Sequence, residues 1–371
     1  MQRREFLATS LVAPAMIGLP ERARATATLD APYPPLLATP SREIRTVVGH
    51  RPYRRSGFVL KREDLGKRTL VHNYGHGGCG VTLSLGCADL AAELAADTRH
   101  RRAAVIGAGA IGLTTARRLL RNGYDVTVYA DALPPHTTSN IAAAFWQPTG
   151  LFSRRAVDDT FLQQFRRAAR LSQRAFQHLA QDPAYGVFWF RFFRGFDERR
   201  ADTPRPVVEG EDLYPGRKIV TGSDAPFGFA EAEQFHSMMI DPDQFLRALM
   251  RDIVGAGGKI VKRRFNRADD IFSLKERLIF NCTGLGAGAL FDDPELTPVR
   301  GQLTMLLPQP EIDYGYVYPS PDGLLYMFPR HGAIVLGGTY EPGVSSMAIS
   351  EEDRLRMFTA HAALSERIAN G

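Results

Sequence analysis

Residues 103–106 (AAVI) form an unbroken apolar run, residues 111–121 place apolar side chains at helical spacing, and residues 125–130 alternate with Val126 and Val128 on one face. This order predicts strand, helix and strand, the unit from which parallel sheets are built. Upstream, residues 57–60 and 69–71 read as short strands with KREDLGKR as the turn region between them. Residues 83–96 read as a helix, with Leu85, Ala88, Leu90, Ala91 and Leu94 near the required spacing, and residues 97–102 as a polar connection into the next strand. Residues 351–368 form a further predicted helix. Pro32, Pro34, Pro35 and Pro40 mark residues 28–44 as a linker of polyproline character.

With 371 residues, 44% hydrophobic and 23% charged, the chain is long enough for one large or two ordinary domains, and disorder throughout is excluded. The formal net charge is +6, and because residues 1–27 carry four Arg against two Glu, the remainder holds +4. Basic residues lie scattered among acidic ones, with small clusters such as Lys262, Arg263 and Arg264. That pattern reads as a solvated surface and argues against a nucleic-acid partner. Cys79, Cys87 and Cys282 are too few for a disulfide framework.

Residues 1–27 form a separate object. Arg3 and Arg4 precede Phe6 and Leu7, a mostly apolar stretch runs to Leu19, and Ala23, Ala25 and Ala27 follow. This resembles a twin-arginine export signal with a cleavage region, so the expected location is periplasmic or secreted. Pro14 and Gly18 interrupt the stretch, and it is short for a bilayer, so no stable membrane anchor is expected.

Gly107, Gly109 and Gly112 make G-x-G-x-x-G at the turn from residues 103–106 into the helix, with Ala108 and Ile111 between them. The first glycine permits a tight turn, the second lets a pyrophosphate approach the backbone, and the third lets helix and strand pack closely. The helix N-terminus then faces the phosphates with its partial positive charge. Asp131 stands 19 residues after Gly112, where an acid accepts from an adenosine ribose. These features predict a dinucleotide site but leave FAD and NAD both open. His72 and His76 have the spacing of a zinc pair, but the glycines among them disfavour a helix and no Glu stands between them, so no metal is expected.

The next segment, VYADALPPHTTSNIAAAFWQP (128–148), resembles the D-amino acid oxidase family along its length. The resemblance implies that Thr137, Thr138 and Ser139 contact FAD phosphates and that Gln147 reaches the flavin and substrate pocket. VHNYGHGGCGVT (71–82) is similar to the family's HNYGHGG-aromatic-GLT motif, and GHRP, with Arg51, to the Arg-Pro motif before it. By that likeness Gly77, Gly78 and Gly80 turn backbone N–H groups toward the flavin, and the Gly78 carbonyl faces the substrate amine. Cys79, Gly80, Val81 and Thr82 would line the ring. NCTGLGAGAL (281–290) brings Thr283 as a second FAD contact, RGQL (300–303) is like the following strand, and YMFPR with GGTYEPG brings Tyr326 and Tyr340 as substrate-binding tyrosines.

The implied fold is α/β, a Rossmann-like FAD-binding domain with an α+β substrate domain on a mixed sheet. The FAD-binding part would comprise residues 45–150 and 256–300, and the substrate domain mainly 151–255 and 301–371. The implied reaction is oxidative deamination of a D-amino acid: the Cα hydrogen leaves as a hydride to flavin N5, water hydrolyses the imino acid to a keto acid and ammonia, and oxygen becomes hydrogen peroxide. Arg51 suits the planar α-carboxylate as a rigid fork, and Tyr326 adds a donor. A glycine- or sarcosine-type oxidase, a flavoprotein without turnover and an NAD dehydrogenase are the competing readings, and a homodimer is left open.

Several positions depart from the family pattern. Cys79 replaces an aromatic, Thr149 and Asp322 stand where Tyr occurs, Phe145 replaces Leu, and Tyr340 stands where members acting on acidic substrates carry Arg. The order departs too: the Arg-Pro and HNYGHGG segments that close the family's chain come early here. Every element occurs once in rotated order, as circular permutation produces, with residues 83–102 as the new junction.

Overall fold

The computed structural model describes residues 33–200, 208 and 211–369. The expected export signal lies outside the described residues. From Tyr33 onward the chain forms one unit. In chain order, the first part runs β1 (Glu43–Tyr53), β2 (Val59–Leu65), β3 (Arg68–Tyr74), α1 (Gly80–Leu94), β4 (Arg102–Ile106), α2 (Ala110–Arg121), β5 (Asp125–Ala130) and α3 (Thr138–Ile141). The middle runs α4 (Asp159–Leu179), β6 (Val187–Phe196), β7 (Lys218–Thr221), β8 (Glu231–Ile240), α5 (Pro242–Gly255), β9 (Lys259–Lys262), α6 (Ala268–Phe272) and β10 (Leu278–Asn281). The last part runs α7 (Gly286–Phe291), β11 (Thr297–Leu306), β12 (Tyr314–Ser320), β13 (Gly323–Pro329), β14 (Ile334–Gly337), β15 (Glu341–Pro342) and α8 (Glu351–Ala369).

The strands divide between two sheets. One has the order β2-β3-β10-β4-β5-β9, parallel except for β2, and the other is mixed, with the order β1-β11-β14-β13-β12-β6-β8-β7 and β15 beside β11. Ala103 to Ile106 are 0–3% exposed, as a strand covered on both faces must be. α1, α2, α4 and α5 contribute to the largest apolar cluster, while Leu70, Ala104, Ile106 and Ile279 form a second with Ile271 of α6. α8 packs Met357, Phe358 and Leu364 into a third cluster with residues of the mixed sheet.

Four expectations change. The hairpin β2–β3 is longer than predicted, because Lys61 to Leu65 pair with the following strand and only Gly66 and Lys67 turn. α1 begins at Gly80, three residues early, because a 3₁₀ turn over Gly77–Cys79 runs straight into it. Residues 45–53 pair with β11 in the mixed sheet, so Arg51 stands on the sheet assigned to the substrate side and not in the expected FAD-binding stretch. The linker is partly docked: Tyr33 packs edge-on against Phe193 and Tyr314, Leu36 and Ala38 are buried, and Leu37 N donates to Gln309 Oε1 at 2.7 Å.

α1 is buried around nearly its whole circumference because it lies against both α2 and α4. Gly86 makes the crossing with α4 feasible: a Cβ there would stand 2.0 Å from the Ala168 carbonyl oxygen. Gly86→Ala is therefore expected to destabilise the fold by about 1–3 kcal/mol through overpacking. A lower denaturant midpoint with unchanged m-value checks this.

Candidate active site

The carboxyl ends of β3, β10, β4, β5 and β9 meet the mixed sheet across a cavity of about 660 Å³. Its cofactor end follows from β4 and the turn after it. Gly107 has φ +117°, and a Cβ there would lie 2.3 Å from the Cys282 carbonyl oxygen, so only glycine fits. Gly109 caps α2 in extended conformation with no side-chain cap, which leaves the helix start turned to the cavity. Gly112 does not line it; its Cβ would meet the Gly107 carbonyl oxygen at 2.0 Å, so it serves the packing of helix on strand. Ala108 and Ile111 line the cavity.

Thr137, Thr138 and Ser139 line the same end. Ser139 Oγ accepts from Ala110 N at 2.9 Å, and Thr137 Oγ1 donates to Asn140 Oδ1 at 2.7 Å. Asp131 lines the cavity next to Arg264, at 3.5 Å. Arg263, Arg264, Phe265 and Asn266 follow β9 into the same rim. The basic cluster at 262–264, read from sequence as solvated surface, thus reaches the cavity with two of its members. The parallel pairing of β9 with β5 places it there, and no local pattern announces that.

The loop between β3 and α1 forms the middle wall. Gly75 and Gly77 hold left-handed backbone, with φ +80° and +52°. Gly77, Gly78, Gly80, Val81 and Thr82 line the cavity, but Cys79 does not. Its side chain is buried away from the cavity, with Sγ donating to the Thr149 carbonyl at 2.9 Å, so its expected place beside the flavin ring is corrected. His72 Nδ1 bonds Asn281 Nδ2 at 3.0 Å, and its Nε2 lies 3.5 Å from Glu63. His76 is stacked on Phe58 at 4.9 Å, and burial pushes its pKa down to about 3, so it stays neutral. Thr283 Oγ1 donates to Asn281 Oδ1 at 2.7 Å on the facing wall.

The mixed sheet supplies the other end. Arg51, on β1, donates to the carbonyls of Arg300 at 3.3 Å and Thr339 at 3.5 Å, and among the described residues it has no carboxylate partner. Gly78 lies against its stem: a Cβ on Gly78 would be 3.7 Å from Arg51 Cδ. Tyr326, on β13, is 8% exposed and lines the cavity. Gln147 also lines it, with Oε1 accepting from Arg194 Nη2 at 2.9 Å, which leaves its amide N–H groups free to point elsewhere. Tyr340 does not line the cavity. It is half exposed, with its ring centroid 5.7 Å from the Arg51 guanidinium, so it covers the arginine from outside. Phe145 stacks between Phe192 at 5.1 Å and Phe328 at 4.4 Å, an apolar wall beside Gln147.

Sequence reasoning missed two glycines that make this end. A Cβ on Gly301 would stand 2.4 Å from Arg51 Nη1, and one on Gly337 would stand 2.3 Å from the Tyr326 ring. Gly301 lies inside β11, where an isolated glycine signals close approach by another group, and Gly337 closes β14 next to Gly338.

A dinucleotide turn at the carboxyl ends of a parallel sheet, opened onto an arginine and a tyrosine from a second sheet, defines a nucleotide-cofactor enzyme with a small-molecule site. The chain belongs to the DAO family of FAD-dependent oxidoreductases, whose model matches residues 19–94 and 102–368. FAD is therefore its cofactor, and the glycine cradle at Gly107 and Gly109 fits a pyrophosphate. The chain is similar to the D-amino-acid oxidase of Rubrobacter xylanophilus, 30% identical over 249 residues that cover 65% of this chain and 70% of that one. It is 27% identical over 267 residues to the D-amino-acid oxidase of Dictyostelium discoideum, covering 71% and 73%. Among solved structures, glycine oxidase from Geobacillus kaustophilus shares the fold with a TM-score of 0.52 and 18% identity over 73% of this chain and 79% of that one. Iminodiacetate oxidase from Chelativorans sp. BNC1 does so with 0.51 and 16%, over 72% and 80%.

Gly301→Ala and Gly337→Ala are expected to displace Arg51 and Tyr326 while leaving the phosphate end intact. The expected outcome is a drop in kcat/KM of about 10- to 100-fold at unchanged FAD content, read from steady-state kinetics and the visible spectrum of the purified protein.

Proposed function

We propose that this protein oxidises D-amino acids, with oxygen as electron acceptor. The observation that carries the reading is the Arg51 guanidinium, without a carboxylate partner among the described residues, beside the Gly78 backbone and with Tyr326 at the cavity end away from the glycine cradle. Arg51 holds the α-carboxylate as a planar fork. The Tyr326 hydroxyl donates a further bond to it, and the Gly78 carbonyl accepts from the substrate ammonium. FAD, when bound, supplies the two-electron acceptor for the Cα hydrogen. The protein's own contribution is orientation and exclusion of water. Both curated relatives described above carry the name D-amino-acid oxidase, which supports the choice of substrate.

The same reading includes a rotated order of elements and export. Supporting the first, the family match falls into two stretches that part at residues 95–101, the join between α1 and β4. Supporting the second are Arg3 and Arg4 with the apolar and small residues that follow.

Anaerobic addition of D-amino acids is expected to bleach the flavin, while L isomers leave it oxidised. Bleaching by glycine or sarcosine alone transfers the reading to the amine-oxidase class, and bleaching by L isomers only overturns it. Arg51→Ala is expected to lower kcat/KM by roughly 10²–10⁴-fold, the worth of two charge-assisted hydrogen bonds, with the flavin spectrum retained.

A further inference from the structure

Several surface cations of this protein sit beside carboxylates. Arg62 meets Asp64 and Asp97, Arg118 meets Asp89, Arg167 meets Glu93, and Arg354 meets Glu43 and Glu351. One end of the molecule departs from this habit. β3, β10, β4, β5 and β9 all run in the same direction, so the five loops that feed their first residues gather at the end of the sheet opposite the cavity. Those loops, residues 65–68, 95–102, 121–125, 255–259 and 273–277, contain nine Lys and Arg against three Asp and Glu. Of the three acids, Asp97 is already engaged by Arg62 and Glu276 is 2% exposed. Among the described residues, none of the nine cations forms a salt bridge.

Strand register sharpens the clustering. Thr69, Leu278 and Ala103 are paired across β3, β10 and β4, so Arg68, Arg277 and Arg102 occupy the preceding position side by side. Strands lie about 4.8 Å apart and residues in register share a face, so three like charges stand in a row that Asp125, paired with Arg102, closes on the β5 side. The three arginines repel one another, and an external anion relieves that repulsion. Lys67, Arg101 and Lys275 lie on the loops into the same three strands, and Arg121 and Lys259 carry the cations on to β5 and β9, so the edge is roughly 20 Å wide across five strands.

A row spread this way, rather than gathered in a pocket, fits an extended anionic surface. The single Phe, Tyr or Trp in the five loops, Tyr124, is 5% exposed and covered by Arg101 at 5.4 Å, which leaves only the half-buried His100 ring, too little for a platform that stacks successive bases. Leu65 and Val254 project beside the cations, 43% and 60% exposed, and suit shallow contact between lipid headgroups. We propose that this end docks peripherally on a bilayer rich in anionic phospholipid, which leaves the cavity at the carboxyl ends of the strands turned away from the membrane.

The test uses FAD-loaded protein and vesicles of phosphatidylglycerol with phosphatidylcholine against vesicles of phosphatidylcholine alone. Expected is co-sedimentation with the anionic vesicles only, abolished by high salt. The double reversal Arg101→Glu with Lys275→Glu is expected to weaken it more than about tenfold, with visible spectrum and Tm unchanged. Arg166→Glu with Arg174→Glu on α4 alters net charge equally and is expected to leave binding intact. Equal weakening by both pairs, equal binding to neutral vesicles, or displacement from anionic vesicles by duplex DNA or RNA at equal phosphate overturns the proposal.

Discussion

The fold depends on one close approach, the turn after β4 lying directly against the end of β10. Gly107 passes the Cys282 carbonyl at a distance no side chain tolerates, and Gly112 does the same to Gly107. These contacts draw α2 onto the sheet and turn its first amides toward the cavity. Without them the phosphate cradle and the packing of helix on strand would both be lost, since the same atoms serve both.

The substrate end repeats the device in a different sheet. Gly301 lies beneath the Arg51 guanidinium and Gly337 beneath the Tyr326 ring, so each of the two side chains rests on strand backbone. That arrangement limits the rotamers of two long side chains before any ligand arrives, which lowers the entropic cost of binding. Neutral buried polar groups complete the walls between the two ends. His72 and Thr283 each bond Asn281, and His76 stacks on Phe58, so the histidines of the glycine-rich loop hold its shape.

The cofactor half was readable because its signals are local. Strand, glycine turn, helix and strand follow one another from residue 103 to residue 130, and the structure repeats them with a shift of one residue at the start of β4 and at the start of α2. Cys79 was misplaced for a matching reason: the motif fixes the backbone of residues 77–82 but not which way each side chain turns, and Thr149, from a distant segment, captures this one. Tyr340 likewise lies beside Arg51 but on its outer side, a distinction that spacing along a strand does not carry.

By itself the sequence determined the class of cofactor turn, the glycines that make it, and the membership of Arg51 and Tyr326 in one site, because these depend on residue type at short range or on motif likeness. Tertiary structure alone decided what reached the cavity from far along the chain. It placed Arg51 on the mixed sheet, slid Gly301 and Gly337 under Arg51 and Tyr326, brought Arg263 and Arg264 to the rim, and gathered scattered cations at the opposite end. The reason is physical: sheet order and register join residues more than a hundred positions apart, and no local periodicity records which strands will be neighbours.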